Sequence, residues 1–212
     1  MWNRQFVTEK HRTTRRRRWA IVAIVILVGL ATHTAYHLAD RYFGEPRRFA
    51  VVEPGVLYRS GQPYVAEIDH LIDSIGLKTI VIARDGVSHR VPDEIAHAKE
   101  RGVNVVHIPI VSRQTIPDEQ AAAFFKCIDD PSHYPILVHC SAGRHRTGYL
   151  CALYRIERQG WSVERAVEEM LSFEPDMSPN RSELKQLKAY VPGTLSGEIE
   201  KKTVHAGGDE SR

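Results

Sequence analysis

Cysteine is scarce in this chain. The three that occur, Cys127, Cys140 and Cys151, are an odd number with no C-x-x-C spacing among them. That excludes a disulfide framework and a thiolate metal site alike. No H-x-x-H or H-E-x-x-H pair stands among the eleven histidines, so neither a metal nor any other cofactor is expected. His89, His97 and His107 read instead as surface or loop-edge residues. No segment recurs at a fixed period, which excludes repeat architectures. A nucleic-acid surface is missing too. Residues 1–18 hold seven Lys or Arg against one acid, Glu9, so that segment carries +6 of a total of +3 and leaves the rest of the chain at −3.

Asp, Glu, Lys and Arg are absent from Trp19 to Ala39. As a helix these residues rise about 31 Å, close to the hydrocarbon thickness of a bilayer, and Trp19 to Ala31 is almost wholly apolar. Thr32, His33, Thr34 and His37 make the second half polar. The segment is read as a transmembrane anchor or a signal segment, with Gly29-Leu30-Ala31 as a small-residue cleavage site in the second case. The basic block Arg15 to Arg18 should stay cytoplasmic, so everything after Asp40 is expected on the other side, periplasmic if the source is bacterial. The expected organisation is a basic leader at 1–18, the membrane-directed segment at 19–39, a linker at 40–48, a folded domain at 49–192 and a disordered tail at 193–212.

Within the domain the hydrophobic period alternates between strand and helix. Strands are predicted at Phe49–Val52 and Val56–Tyr58, around the Glu53-Pro54-Gly55 turn, then at Thr79–Ala83, Val103–Ile108 and Ile136–Val138. Helices are predicted at Ala66–Ile75, Pro92–Arg101, Pro117–Ile128, Tyr149–Arg158, Val163–Phe173 and Glu183–Tyr190. This order implies an α/β fold, a mainly parallel central sheet flanked by helices and preceded by one N-terminal membrane-directed helix. Cys127 and Cys151 fall on apolar helix faces as core residues, with a resolving thiol for an oxidised Cys140 as the alternative.

The stretch Pro135 to Gly148, P-I-L-V-H-C-S-A-G-R-H-R-T-G, organises the rest. Ile136, Leu137 and Val138 form a strand buried on both faces, and helical spacing resumes after Arg146. The five residues between Cys140 and Arg146, namely Ser141, Ala142, Gly143, Arg144 and His145, can turn successive N–H groups toward one anion ahead of the helix. A thiol in that field should ionise below the free value of about 8.5, which makes Cys140 a candidate nucleophile. Arg146 offers a planar fork for two phosphate oxygens, and Thr147 can give its hydroxyl to the sulfur. His139 is expected to orient the loop from behind.

These residues resemble the protein tyrosine phosphatase signature H-C-x5-R-[ST], and within it the small dual-specificity-like phosphatases of bacteria, fungi and plants. Leu57-Tyr58-Arg59-Ser60-Gly61-Gln62-Pro63 is similar to the L-Y-R-S-x-x-P segment of that group, and Gln159-Gly160-Trp161-Ser162 to its helix-to-helix turn. The resemblance spans Phe49 to Tyr190 and implies a dual-specificity phosphatase-like fold and a phosphocysteine mechanism acting on protein phosphotyrosine. The alternatives are an inositol polyphosphate, inositol pyrophosphate or phosphoinositide substrate, suggested by the extra charge of Arg144 and His145, or a phosphate-binding module without turnover. Where the group often carries an acidic residue after the strand preceding the signature, Ile110-Val111-Ser112-Arg113-Gln114 has none. Asp118 is the first candidate for the general acid and Asp85 the second, whereas Asp129 and Asp130 enter the catalytic strand from the opposite end. The partners implied are a phosphorylated protein or small phosphorylated ligand and, through the N-terminal segment, a membrane.

Overall fold

Two strands, β3 (Thr79–Ala83) and β5 (Ile136–Cys140), are buried at every position, which is why each carries an apolar run, Ile80 to Ala83 and Ile136 to Val138, and not an alternating pattern. In this computed structural model, which describes residues 3–86, 88 and 90–195, they lie at the centre of a five-stranded sheet. Their companions are β1 (Ala50–Glu53), β2 (Leu57–Gly61) and β4 (Asn104–Ile108), in the order β1-β2-β5-β3-β4. The sheet is mixed, a correction to the mainly parallel one expected. β1 runs antiparallel to β2, because only a short turn through Gly55, at φ 74°, joins them, whereas β2, β5, β3 and β4 pair in parallel.

Successive side chains of the parallel strands divide between two cores. Ile80, Ile82 and Leu137 pack with Ile68 and Leu71 of α2 (Val65–Ile75) and with Val91 and Ala98 of α3 (Arg90–Glu100). Val81, Ala83, Ile136 and Val138 face the larger core, which takes Phe124 and Phe125 from α4 (Asp118–Ile128), Leu150 and Leu153 from α5 (His145–Gln159), Met170 from α6 (Val163–Ser172) and Leu184 from α7 (Ser182–Lys188). Phe124 is fully enclosed, and a side chain of that kind contributes about 1.5–3 kcal/mol by burial. Cys127 and Cys151 are buried members of this core. Packing continues past Pro192 to Leu195, also buried, while residues 196–212, most of the expected tail, lie outside the described residues, as does His89.

The chain divides into two units, one ending at Gly44 and one beginning at Glu45. The first is a single helix, α1 (Asn3–Phe43), longer at both ends than the apolar segment the sequence marks. Its stretch Arg17–Tyr36 has a mean hydropathy of 1.9 and is long and apolar enough to cross a membrane by length and composition, a test that a signal sequence also passes.

Candidate active site

Cys140 is the last residue of β5, paired in register with Gly61 at the end of β2, so the two central strands finish side by side under the loop that follows. Parallel α/β sheets bind ligands at this carboxyl edge. The loop is Ser141 to Arg144, and α5 opens at His145, earlier than the sequence spacing indicates, which puts Arg146 and Thr147 in its first turn. There the N–H groups have no intrahelical partner and the helix dipole favours an anion. Gly143 has to be glycine on two counts. Its φ is +71°, and a Cβ there would stand 2.5 Å from the backbone nitrogen of Gly61 and the carbonyl carbon of Ser60.

A peptide unit is planar, with its carbonyl and the next N–H pointing opposite ways. Each loop carbonyl that the protein body holds therefore aims an N–H at the other side. His139 Nδ1 lies 3.3 Å from the Cys140 carbonyl, the Gln62 N–H donates to the Ser141 carbonyl at 3.3 Å, and Arg59 Nη2 donates to the Gly143 carbonyl at 2.8 Å. Among the described residues, no protein carbonyl, carboxylate or hydroxyl accepts from the N–H groups of Ser141, Gly143 or Arg144. Those donors remain for a phosphate.

Burial alone would push the Cys140 thiol up. The Thr147 hydroxyl and N–H, the Arg146 guanidinium and the Ala142 N–H together outweigh it, and the thiol ionises below its ordinary value. Among the described residues the buried Thr147 hydroxyl has no oxygen or nitrogen partner to compete for its proton. Arg146 is buried and already oriented: Nη1 donates to the Ile110 carbonyl at 2.8 Å and lies 3.5 Å from Asp85 Oδ1. The Asp85 N–H shares that Ile110 carbonyl at 3.1 Å, which ties the loop after β3 to the guanidinium.

Behind the loop is a polar chain with almost no solvent contact. Glu94 Oε1 on α3 stands 2.5 Å from His139 Nε2, Gln62 Nε2 donates to Glu94 Oε2 at 2.8 Å, and Arg84 Nη1 donates to Gln62 Oε1 at 2.5 Å. His139 is thus held on both ring nitrogens under the nucleophile. Arg144 and His145 project neither inward nor into open solvent. Both meet Glu174, Arg144 Nη1 at 3.1 Å from Oε1 and His145 Nε2 against Oε2, and Arg181 closes on His145 Nδ1 at 2.5 Å. Burial, then the Arg181 charge, hold the His145 ring below its ordinary pKa against the opposing pull of Glu174 and Glu183. The Arg144 charge is thereby balanced by Glu174, and His145 is held toward its neutral form.

Of the carboxylates the sequence offers, Asp85 reaches the loop. Asp118 sits exposed on the first residue of α4, where its charge, after burial, helps raise the Tyr149 phenol. Asp129 pairs with Arg158 at 2.8 Å and Asp130 caps a 3₁₀ turn through the Ser132 N–H, both at the other end of β5. Among the described residues no three His, Cys, Asp or Glu side chains come together as a metal site. Arg59, Glu94, Gln62, Arg84 and Glu174 are the site's contributors that the motif does not announce. Arg59 is buried and stacked on Phe173 at 3.6 Å.

Comparison with known proteins adds three relatives. The family model described as the tyrosine phosphatase family matches residues 45–202. The chain is 28% identical over 182 residues to the dual specificity protein phosphatase TpbA of Pseudomonas aeruginosa, covering 82% of this chain and 78% of that protein. A crystal structure of TpbA in complex with pTyr superposes with a TM-score of 0.53 at 26% identity, over 73% of this chain and 95% of that one. Identity to the inositol diphosphatase DSP4 of Arabidopsis thaliana is 31% over 135 residues, 62% of this chain and 66% of that protein. The core catalytic domain of the PP-IP phosphatase SIW14 from S. cerevisiae has the same fold, with a TM-score of 0.64 at 24% identity over 75% of this chain and 94% of that one.

Proposed function

From the chain's place in the tyrosine phosphatase family, to which it belongs as a small dual-specificity-like, cysteine-dependent phosphatase, we propose that it hydrolyses phosphotyrosine on protein through a phosphocysteine on Cys140. The observation that carries the chemistry is a buried thiol held toward its ionised form by Thr147, Arg146 and loop N–H groups. In the first step the Cys140 sulfur attacks phosphorus. The ester P–O bond breaks, and the leaving oxygen takes a proton from a carboxylic acid. In the second step water attacks phosphorus, the S–P bond breaks, the same carboxylate receives the proton and inorganic phosphate leaves. Arg146 and the N–H groups of Ser141, Gly143 and Arg144 bind the equatorial oxygens and follow their charge into the transition state. Asp85 is the acid that the geometry favours, from its place beside Arg146, over Asp118.

Phosphotyrosine is favoured because Glu174 already pairs with the Arg144 guanidinium and His145 is held toward its neutral form, so neither offers the free positive charge a polyphosphate would recruit. A second reading, an inositol pyrophosphate substrate, is favoured by the relatives DSP4 and SIW14. The deciding experiment compares phosphate release by the purified chain from phosphotyrosyl peptide, phosphoseryl peptide, phosphoinositide and inositol pyrophosphate. A kcat/KM for phosphotyrosyl peptide at least tenfold above the others supports the first reading, and a tenfold preference for pyrophosphate replaces it with the second. We further propose that the apolar stretch of α1 tethers the enzyme to a membrane with the catalytic unit on the extracytoplasmic side, a reading supported by the Arg15 to Arg18 block ahead of it.

A further inference from the structure

The sequence presents residues 40–48 as a linker, yet their last members touch the catalytic loop. We propose that Arg47 and Arg48 are positioning residues for that loop, holding two of its carbonyls from outside so that the opposite N–H groups face the phosphate; the proposal rests on the phosphatase reading of Cys140.

The contact starts in the backbone. Pro46 is buried, the Phe49 N–H closes a turn onto its carbonyl at 2.9 Å, and the Gly61 N–H donates to the Arg47 carbonyl at 2.7 Å. Gly61 is the register partner of Cys140, and a Cβ on it would lie 3.3 Å from both the Arg47 oxygen and the Ala142 carbonyl carbon. The end of β2 is therefore sandwiched between this segment and the loop. From that anchor Arg48 Nη1 donates to the Ala142 carbonyl at 3.2 Å, and Arg47 Nη2 to the Ser141 carbonyl at 3.4 Å.

The two contacts differ in weight. The Ser141 carbonyl also receives the Gln62 N–H, so Arg47 is its second donor, whereas among the described residues Arg48 is the donor to Ala142. By peptide planarity, holding the Ala142 oxygen outward directs the Gly143 N–H inward, and holding the Ser141 oxygen directs the Ala142 N–H that reaches the Cys140 sulfur. Arg48 adopts φ +58°, a conformation unusual for a side chain of its size, which persists where surrounding contacts impose it. It also faces charge of both signs. Burial, then repulsion from Arg144 and Arg47, lowers its pKa, while Glu174 and the Cys140 sulfur favour the cation.

The test uses the full chain in detergent with Arg48→Met, Arg47→Met and Arg48→Lys. Four quantities are read: the pH dependence of Cys140 alkylation, kcat and KM for an activated aryl phosphate, and Tm. Methionine keeps much of the apolar stem and removes the donor. Arg48→Met should move the midpoint of the alkylation profile to higher pH and lower kcat about tenfold, with little change in Tm. Arg47→Met should do the same more weakly, and Arg48→Lys should fall between Arg48→Met and the parent. A profile and kcat within twofold of the parent, or a change in Tm alone, overturns the proposal. Should Arg48→Met fail to fold, Arg48→Lys is read by the same criterion. If the parent itself shows no turnover the phosphatase reading fails, and the alkylation profile still decides the placement of Arg48.

Discussion

Three cysteines lie buried in one domain, and their surroundings give them opposite chemistry. Cys127 and Cys151 see mainly desolvation, and each thiol is pushed up to about 11. Cys140 is equally enclosed, but the Thr147 hydroxyl and N–H, the charge of Arg146 and the Ala142 N–H around its sulfur together reverse the sign. Iodoacetamide at pH 7 should therefore modify Cys140 in the native protein and leave the other two untouched, as peptide mass spectrometry would show. The pH direction follows from the depressed value: thiolate is present above it and is lost as pH falls through it, so alkylation should persist below the range of an ordinary thiol. A rate that rises only toward pH 9 would contradict this account. The choice of acid is also a matter of single residues. Asp85→Asn should slow hydrolysis of phosphotyrosine by about 10² to 10⁴ and largely spare an aryl phosphate whose leaving group needs no proton. The same split in Asp118→Asn, with Asp85→Asn affecting both substrates alike, would return the role to Asp118.

At the scale of elements, the catalytic loop depends on the close approach of β2. Gly143→Ala places a methyl against the Ser60–Gly61 backbone, which cannot swing aside as a flexible side chain would. We expect a loss of about 1–3 kcal/mol in denaturant unfolding and a kcat reduced by more than about tenfold. Near-parent stability and activity would show that the loop has room to relax. The strand-to-helix order was legible in the sequence because Ile136 to Val138 and Ile80 to Ala83 are continuous apolar runs and helices such as α4 carry a helical period. The mixed sheet was harder to foresee: alternation points to parallel pairing, and the short turn at Gly55 decides one edge locally. The nucleophile and its arginine were legible because five residues separate them in one loop. Glu94 and Glu174 were not, since they meet His139 and Arg144 across 45 and 30 positions of sequence, and an isolated Glu carries no spacing that announces a partner. Arg144 and His145 show the converse, polar side chains that sit inside the motif and are paired by Glu174 and Arg181 outside it.

For the molecule as a whole, the N-terminal helix and the catalytic unit make separable claims. A reporter fused after Arg212 that works only outside the cytoplasm should be active, and activity of a cytoplasm-only reporter would reverse the orientation argued from Arg15 to Arg18. The catalytic unit collects its site from elements spread between Arg47 and Arg181, so the chemistry is a property of the assembled sheet edge. The central claim is that phosphorus becomes bonded to sulfur during turnover. Acid quenching of the full chain within milliseconds of mixing with phosphotyrosyl peptide, followed by mass spectrometry of the peptide containing Cys140, tests it most directly. The account expects a phosphate adduct on Cys140 that vanishes as substrate is consumed, and in Cys140→Ser neither adduct nor measurable release, with vanadate still bound by Arg146 and the loop. Release of phosphate by Cys140→Ser within tenfold of the parent, or turnover with no adduct at any quench time, would contradict it.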